Sequence, residues 1–397
     1  MISKGTTPKE VSKMQNSASI FSLRATGTTL VIAWTVVVAF RFGLHSLLEP
    51  DMSVPVAASC FILLFGTILM ASFGAAHQAD ELAHRLGEPY GTLVLTVSIV
   101  VIEVVLIAAV MLGPSASATI GRDSILAVMM IIMNLVTGLC LLTGAIRYGE
   151  QEYNAPGAIT FISMILIFVG VAFLLPNYSG SGDGTFTPVQ AVAISILILI
   201  GYAAFLTLQM GRYRSDFVQP ETGSMRILLR EARRREAAGG HATAEGRGNS
   251  LKHAITLVAL ILPIVLLAHD LSIIIDYGVE KADAPAALSG VLIAIIVFTP
   301  ESVTAIRAAL DNQAQRAINL CLGAFVSTVG LTVSAVLLVG LITGKTVIFG
   351  ISEVETVLVA LTIGLTTLTF MGHRTSATQG MLHLLLFGVF GLMLFTV

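Results

Sequence analysis

Two glutamates stand in apolar sequence where a charge has no ordinary place. Glu103 lies in VSIVVIEVVLIAAV, residues 97–110, and Glu301 closes GVLIAIIVFTPE, residues 290–301. Each falls about half-way along a stretch long enough to cross a bilayer, so a helical rise of about 1.5 Å per residue puts both near its middle. An ionised carboxylate there costs several kcal/mol unless it is paired, hydrated or neutralised by a proton. Two neighbouring carboxyls oppose joint ionisation still more, whereas a cation between them reverses the balance. Two protons and one divalent cation then become alternative occupants of one site, which is the chemistry of cation/proton exchange. The plainer alternative is a protonated glutamate making an interhelical hydrogen bond.

A hard cation such as Ca²⁺ takes about six to eight oxygen ligands. The neighbouring sequence offers neutral oxygens at Thr96, one helical face before Glu103, and at Thr299, next to Pro300. A proline there leaves a backbone carbonyl without its helical donor. Asn134, Thr137, Ser327 and Thr328 in the following apolar stretches offer more. Each of these has a packing alternative, since hydroxyls and amides also glue membrane helices together. A separate polar stripe, His77, Glu81, His84 and Glu88, recurs at helical spacing in HQADELAHRLGEPYG. It reads as a solvated amphipathic helix or as a cytoplasmic entrance that senses cations or pH.

Other chemistries find little support. No concentration of Cys and His suits zinc or copper, and Cys60, Cys140 and Cys321 sit singly in apolar runs. There is no HExxH for an intramembrane metalloprotease and no GxxxxGK[ST] for ATP-driven pumping. No enzyme activity, resident cofactor or nucleic-acid partner is expected. The bilayer, inorganic cations and protons are the expected partners.

The elements that must hold these residues are membrane helices. Of 397 residues, 55% are hydrophobic and 12% charged, and the mean hydropathy is +0.89; a globular protein carries about twice that charge. Eleven spans are expected: 28–47, 54–76, 91–112, 123–146, 157–176, 188–210, 253–274, 286–310, 317–343, 353–371 and 376–396. The 211–252 loop holds nine Lys or Arg, which assigns it to the cytoplasm. Alternating from there puts eighteen of the 22 Lys and Arg on that side, with the N-terminus inside and the C-terminus outside. No cleavable signal peptide is evident at the start.

Five spans lie between the first helix and the basic loop, and five follow it, with a Glu in the second span of each five. An odd number makes consecutive units enter the membrane from opposite sides, the inverted-repeat plan of many secondary transporters. The expected organisation is an all-α membrane protein. It has an N-terminal tail and extra helix (1–53), a first five-helix repeat (54–210), a basic linker (211–252) and a second repeat (253–397).

The runs ADELAHRLGEPYGTLVLTVSIVVIE (79–103) and TPESVTAIRAALDNQAQRAINLCLGAFVST (299–328) resemble the two α-repeats of the calcium/cation antiporter superfamily. More narrowly they resemble the bacterial Cha-type calcium/proton antiporters, whose members also exchange Na⁺ or K⁺ for protons. The resemblance extends from about residue 54 to the end and implies ten core helices in inverted repeats, often with an extra N-terminal helix. The superfamily usually carries a Gly-Asn pair shortly before each Glu; here those places read Ile99-Val100 and Phe298-Thr299. Glu103 and Glu301 therefore carry over as cation and proton sites, with Asn134 and Ser327 at the polar positions of the next helices. The missing asparagines leave Ca²⁺ against Na⁺ or K⁺ open.

The expected function is export of Ca²⁺, or of Na⁺ or K⁺, in exchange for protons across a bacterial cytoplasmic membrane by alternating access. The alternative is a passive cation channel on the same helices.

Overall fold

The computed structural model describes residues 26–48, 52–86, 90–112, 117–179, 182–219 and 245–396, with side chains 83–96 and 245–250 left out of account. Eleven long helices run through them: α1 Thr26–Phe42, α2 Val54–Leu86, α3 Tyr90–Met111, α4 Ile120–Tyr148, α5 Ala155–Tyr178 and α6 Pro188–Met210. After the basic loop come α7 Glu245–Lys281, α8 Ala287–Leu310, α9 Ala314–Thr343, α10 Glu353–Phe370 and α11 Ala377–Thr396. Among the described residues nine of the eleven are long and apolar enough to cross a membrane, while in α1 and α3 the apolar part described is shorter. The protein is an all-α membrane protein.

The helices match the expected spans, and the differences lie at their ends. The span expected to stop at 76 continues as α2 to Leu86. Nothing in HQADELAHRL breaks a helix, and its Ala79 and Leu82 stay buried at helical spacing. From His77 to His84 the polar stripe is thus an extension of α2, not a separate helix. Likewise α7 reaches Lys281, well past the expected end at 274. Sharp starts occur where capping chemistry is present. Thr187 and Gln190 form a capping box before Pro188 at the head of α6, and Ser352 and Glu355 form one at the head of α10.

Packing follows the two-repeat order. α2 lies along α7, α8 packs on α4 as α3 packs on α9, and the C-terminal halves of α4 and α9 meet α11 and α6. Even the loops obey the exchange. An isolated bridge pairs Glu152 of the α4–α5 loop with Arg374 of the α10–α11 loop. Its counterpart pairs Thr185 of the α5–α6 loop with Ile348 of the α9–α10 loop. Crossing α5 separates the two bridges, so they close opposite ends of the bundle.

Burial is graded. In α4, 83% of the most apolar window is buried inside the protein, against 33% in α2 and α6. Leu197 and Ile200 on α6, Leu361 and Leu368 on α10, and Leu385 and Leu392 on α11 are exposed, as side chains facing lipid would be. α1 adds to the α2–α7 pair: Trp34 donates to Ala259 O at 3.1 Å, and His45 pairs with Asp270 at 3.0 Å.

Candidate functional site

α4 and α9, the most buried helices, each change winding in mid-course. Met130–Val136 in α4 and Thr328–Thr332 in α9 are π-helical. Such a segment widens the turn and disturbs the regular i→i−4 bonding, and it often occurs at functional sites. Each packs on the glutamate-bearing helix of the other repeat, α8 and α3 respectively. The offset that relates Glu103 to Glu301 also relates Met130 to Thr328, and Asn134 to Thr332.

The two glutamates lie in one region of the bundle, with Glu103 close enough to Glu301 to feel its charge. Both are buried, Glu103 at 1% and Glu301 at 8% exposure. Glu103 Oε2 accepts from the Thr328 hydroxyl at 3.0 Å, across the interface between the repeats. Thr332 also lies beside that carboxyl. Glu103 Oε1 and Glu301 Oε2 lie within hydrogen-bond geometry of no partner. Orphaned buried carboxyl oxygens are costly, and they are what a proton or a cation would satisfy. Glu301 lines a small cavity together with Ser72, Ser98 and Pro300.

The other residues singled out by sequence divide clearly. Thr328 joins the pair directly. Asn134 is fully buried but turned elsewhere: its amide donates to Thr362 Oγ1 at 2.9 Å, and its Oδ1 meets His383 Nδ1 at 3.1 Å. The other His383 nitrogen meets Thr369 Oγ1 at 3.1 Å. With the amide oxygen as acceptor, His383 carries its proton on Nδ1 and receives the Thr369 hydroxyl on Nε2. Ser327 donates to Ala324 O at 2.7 Å and lies beside Tyr202 on α6. Thr137 and Thr299 bond backward to Ile132 O and Ile295 O. His77 and Glu81 lie on the extension of α2, remote in sequence from the pair, and both make polar contacts. Glu88 and the side chains of His84 and Thr96 lie outside the described residues.

Sequence reasoning overlooked Thr332, Ser72 and His383. Thr332 was signalled by the shared offset and His383 by its place in the apolar run LHLLL. Ser72 carried no signal beyond its polarity. Among the described residues no three His, Cys, Asp or Glu side chains gather as a metal cluster. A cation at this place would be held by two carboxyls and neutral oxygens.

Residues 56–211 and 252–396 match the sodium/calcium exchanger protein family. A Sinorhizobium fredii protein, y4hA, is 32% identical over 86% of this chain and 89% of its own. The sodium-potassium/proton antiporter ChaA of Escherichia coli is 28% identical over 96% of this chain and 100% of its own. Two solved structures share the fold at 16% identity. YfkE has a TM-score of 0.69, covering 93% of this chain and all of its own, and the H⁺/Ca²⁺ exchanger CAX has 0.66, covering 94% and 88%.

Proposed function

The chain belongs to the sodium/calcium exchanger protein family, and from that premise we propose that it is a proton-coupled cation antiporter. Cation exchange across a membrane is the business of its relatives. The finer reading is that Glu103 and Glu301 are shared by substrate cation and protons, and that alternating access presents them to one side at a time. Ca²⁺ is the first candidate, with Na⁺ and K⁺ beside it. The reading includes a bacterial cytoplasmic membrane, an N-terminus inside and a C-terminus outside.

One observation carries it: two buried carboxyls from opposite repeats, each with an unpartnered oxygen, Glu103 lying within reach of the charge of Glu301. Empty and ionised, the pair repels itself in a low dielectric. Protonated, it is neutral. A divalent cation held between the two carboxylates restores the same net charge as two protons, so each substrate displaces the other. Thr328 supplies a hydroxyl that can donate to the carboxylate or turn its oxygen to a cation.

The test uses inverted vesicles carrying a pH gradient, to which Ca²⁺, Na⁺ or K⁺ is added in turn. The expected result is collapse of the gradient by a specific cation, abolished in Glu103→Gln and in Glu301→Gln. Normal exchange in both variants would refute the shared site. Cation uptake indifferent to the proton gradient would indicate a channel.

A further inference from the structure

Ser72 lies in the C-terminal half of α2, 2% exposed, and its hydroxyl has no hydrogen-bond partner. For a serine inside a helix the carbonyl one turn earlier is in reach. Ser59 and Thr67 on the same helix use that carbonyl, donating to Pro55 O at 2.8 Å and to Leu63 O at 2.6 Å. On α7, the partner helix of the other repeat, Ser272 donates to His269 O at 2.7 Å. Ser72 does not, and it lines the cavity that Glu301 also lines.

That cavity therefore holds two orphaned buried oxygens from two helices, Ser72 Oγ and Glu301 Oε2. Ser98 on α3 adds a third polar side chain to its wall, while Ala75 and Ala76 keep it open. Pro300 lies in the same wall. A carboxylate and two hydroxyls form a hard-oxygen set that fits an alkali or alkaline-earth cation and suits a softer metal poorly. Ser72, Ala75 and Ala76 of α2 and Ser98 and Ile99 of α3 come from the halves nearest the α2–α3 connection, and Ile102 from just past the middle of α3. The cavity thus extends from the level of the glutamates toward that end.

We infer that Ser72 is a cation ligand and a determinant of specificity, holding the cation with Glu301 as it passes between the shared site and the α2–α3 end of the bundle. This rests on the antiporter reading above. On this route Glu301 is the first carboxylate a cation meets from that end, and Glu103 the second.

The experiment uses the full chain in liposomes, with Cys60, Cys140 and Cys321 replaced by serine. Ser72→Cys is exposed to a small cationic methanethiosulfonate, with and without saturating Ca²⁺ or Na⁺. Modification is expected from one side of the membrane only, slowed at least about fivefold by the transported cation, with that protection lost in Glu301→Gln. In parallel, Ser72→Ala should raise the half-saturating cation concentration about tenfold, the size expected for one lost charge-assisted contact. Ser72→Thr should restore it, and Ser272→Ala should behave as the parent. A transporting Ser72→Cys protein whose labelling ignores cations, or Ser72→Ala with parental half-saturation, overturns the inference and leaves the antiporter intact. Cation-protected labelling without any proton exchange upholds Ser72 as a ligand and removes the antiporter reading.

Discussion

Glu103 and Glu301 occupy matched places in the two repeats but have unequal neighbours. Thr328, first residue of its π segment, gives Glu103 a hydroxyl at 3.0 Å, whereas the matched first residue in α4 is Met130, which has none to give. The hydroxyl favours the ionised carboxylate, by about 1.5–3 kcal/mol for a hydrogen bond to a charged group. Thr328→Val should therefore let protons compete better at Glu103. The half-saturating cation concentration should rise about tenfold or more at fixed pH, and exchange should need a more alkaline medium. Met130→Thr, which puts a hydroxyl at the matched position of α4, should move the pH profile the other way. Proton-flux assays across a pH series in vesicles measure both. Shifts of the same sign in the two variants would show that the hydroxyls do not tune the carboxyls. The glutamates themselves were legible in sequence because a charge inside an apolar run is conspicuous. The orientation of Asn134 was not: whether its oxygen faces a cation or His383 depends on a helix whose only polar mark there is one histidine.

At the scale of elements, hydropathy located the helices and misjudged their ends. Polar residues that continue a helix beyond the apolar run, as in the last turns of α2, look like loop to a window that counts only apolarity. The π segments were invisible for a different reason, since they are a choice of backbone hydrogen bonds made by residues that would equally suit an α-helix. Glycines mark where helices of opposite repeats meet closely. A Cβ at Gly290 of α8 would stand 2.7 Å from Ser124 N and 2.8 Å from Asp123 C, both backbone atoms of α4 that cannot swing aside. Gly290→Ala must separate α8 from α4 and displace Glu301 with it. Overpacking of this kind costs about 1–3 kcal/mol. We expect a lower melting temperature in detergent and slower exchange. Gly278→Ala in α7, where a Cβ meets nothing within 4 Å, should lose no stability. Equal melting temperatures for the two variants would contradict the close approach of α8 to α4.

On the scale of the whole molecule, alternating access requires a part that moves and a part that does not, each with two settled arrangements. Burial separates them. The most apolar windows of α4 and α9 are 83% and 67% buried inside the protein, while those of α2 and α7 are 33% and 50% buried. Side chains also tie the core at both ends: Arg122 donates to Gly350 O at 2.7 Å at one, and Gln151 to Ala309 O at 3.1 Å at the other. α2 and α7 instead lean chiefly on each other, and α1 is fastened to that pair. Gln78 of α2 donates to Thr26 of α1 at 3.2 Å and meets His253 of α7 at 2.7 Å. The mobile unit is then α1, α2 and α7 together, sliding past the glutamates, which accounts for an extra helix that contributes nothing to the site. Lipid-facing helices with few ties to the core belong at the low-stability end of the structure, where local opening is cheapest. Hydrogen–deuterium exchange should therefore change in α1, α2 and α7 when the protein passes from acid without cation to neutral pH with saturating Ca²⁺ or Na⁺. The middles of α4 and α9 should stay protected in both states. A change concentrated in α4 and α9, with α2 and α7 unaltered, would assign the motion to the core and leave α1 as an anchor.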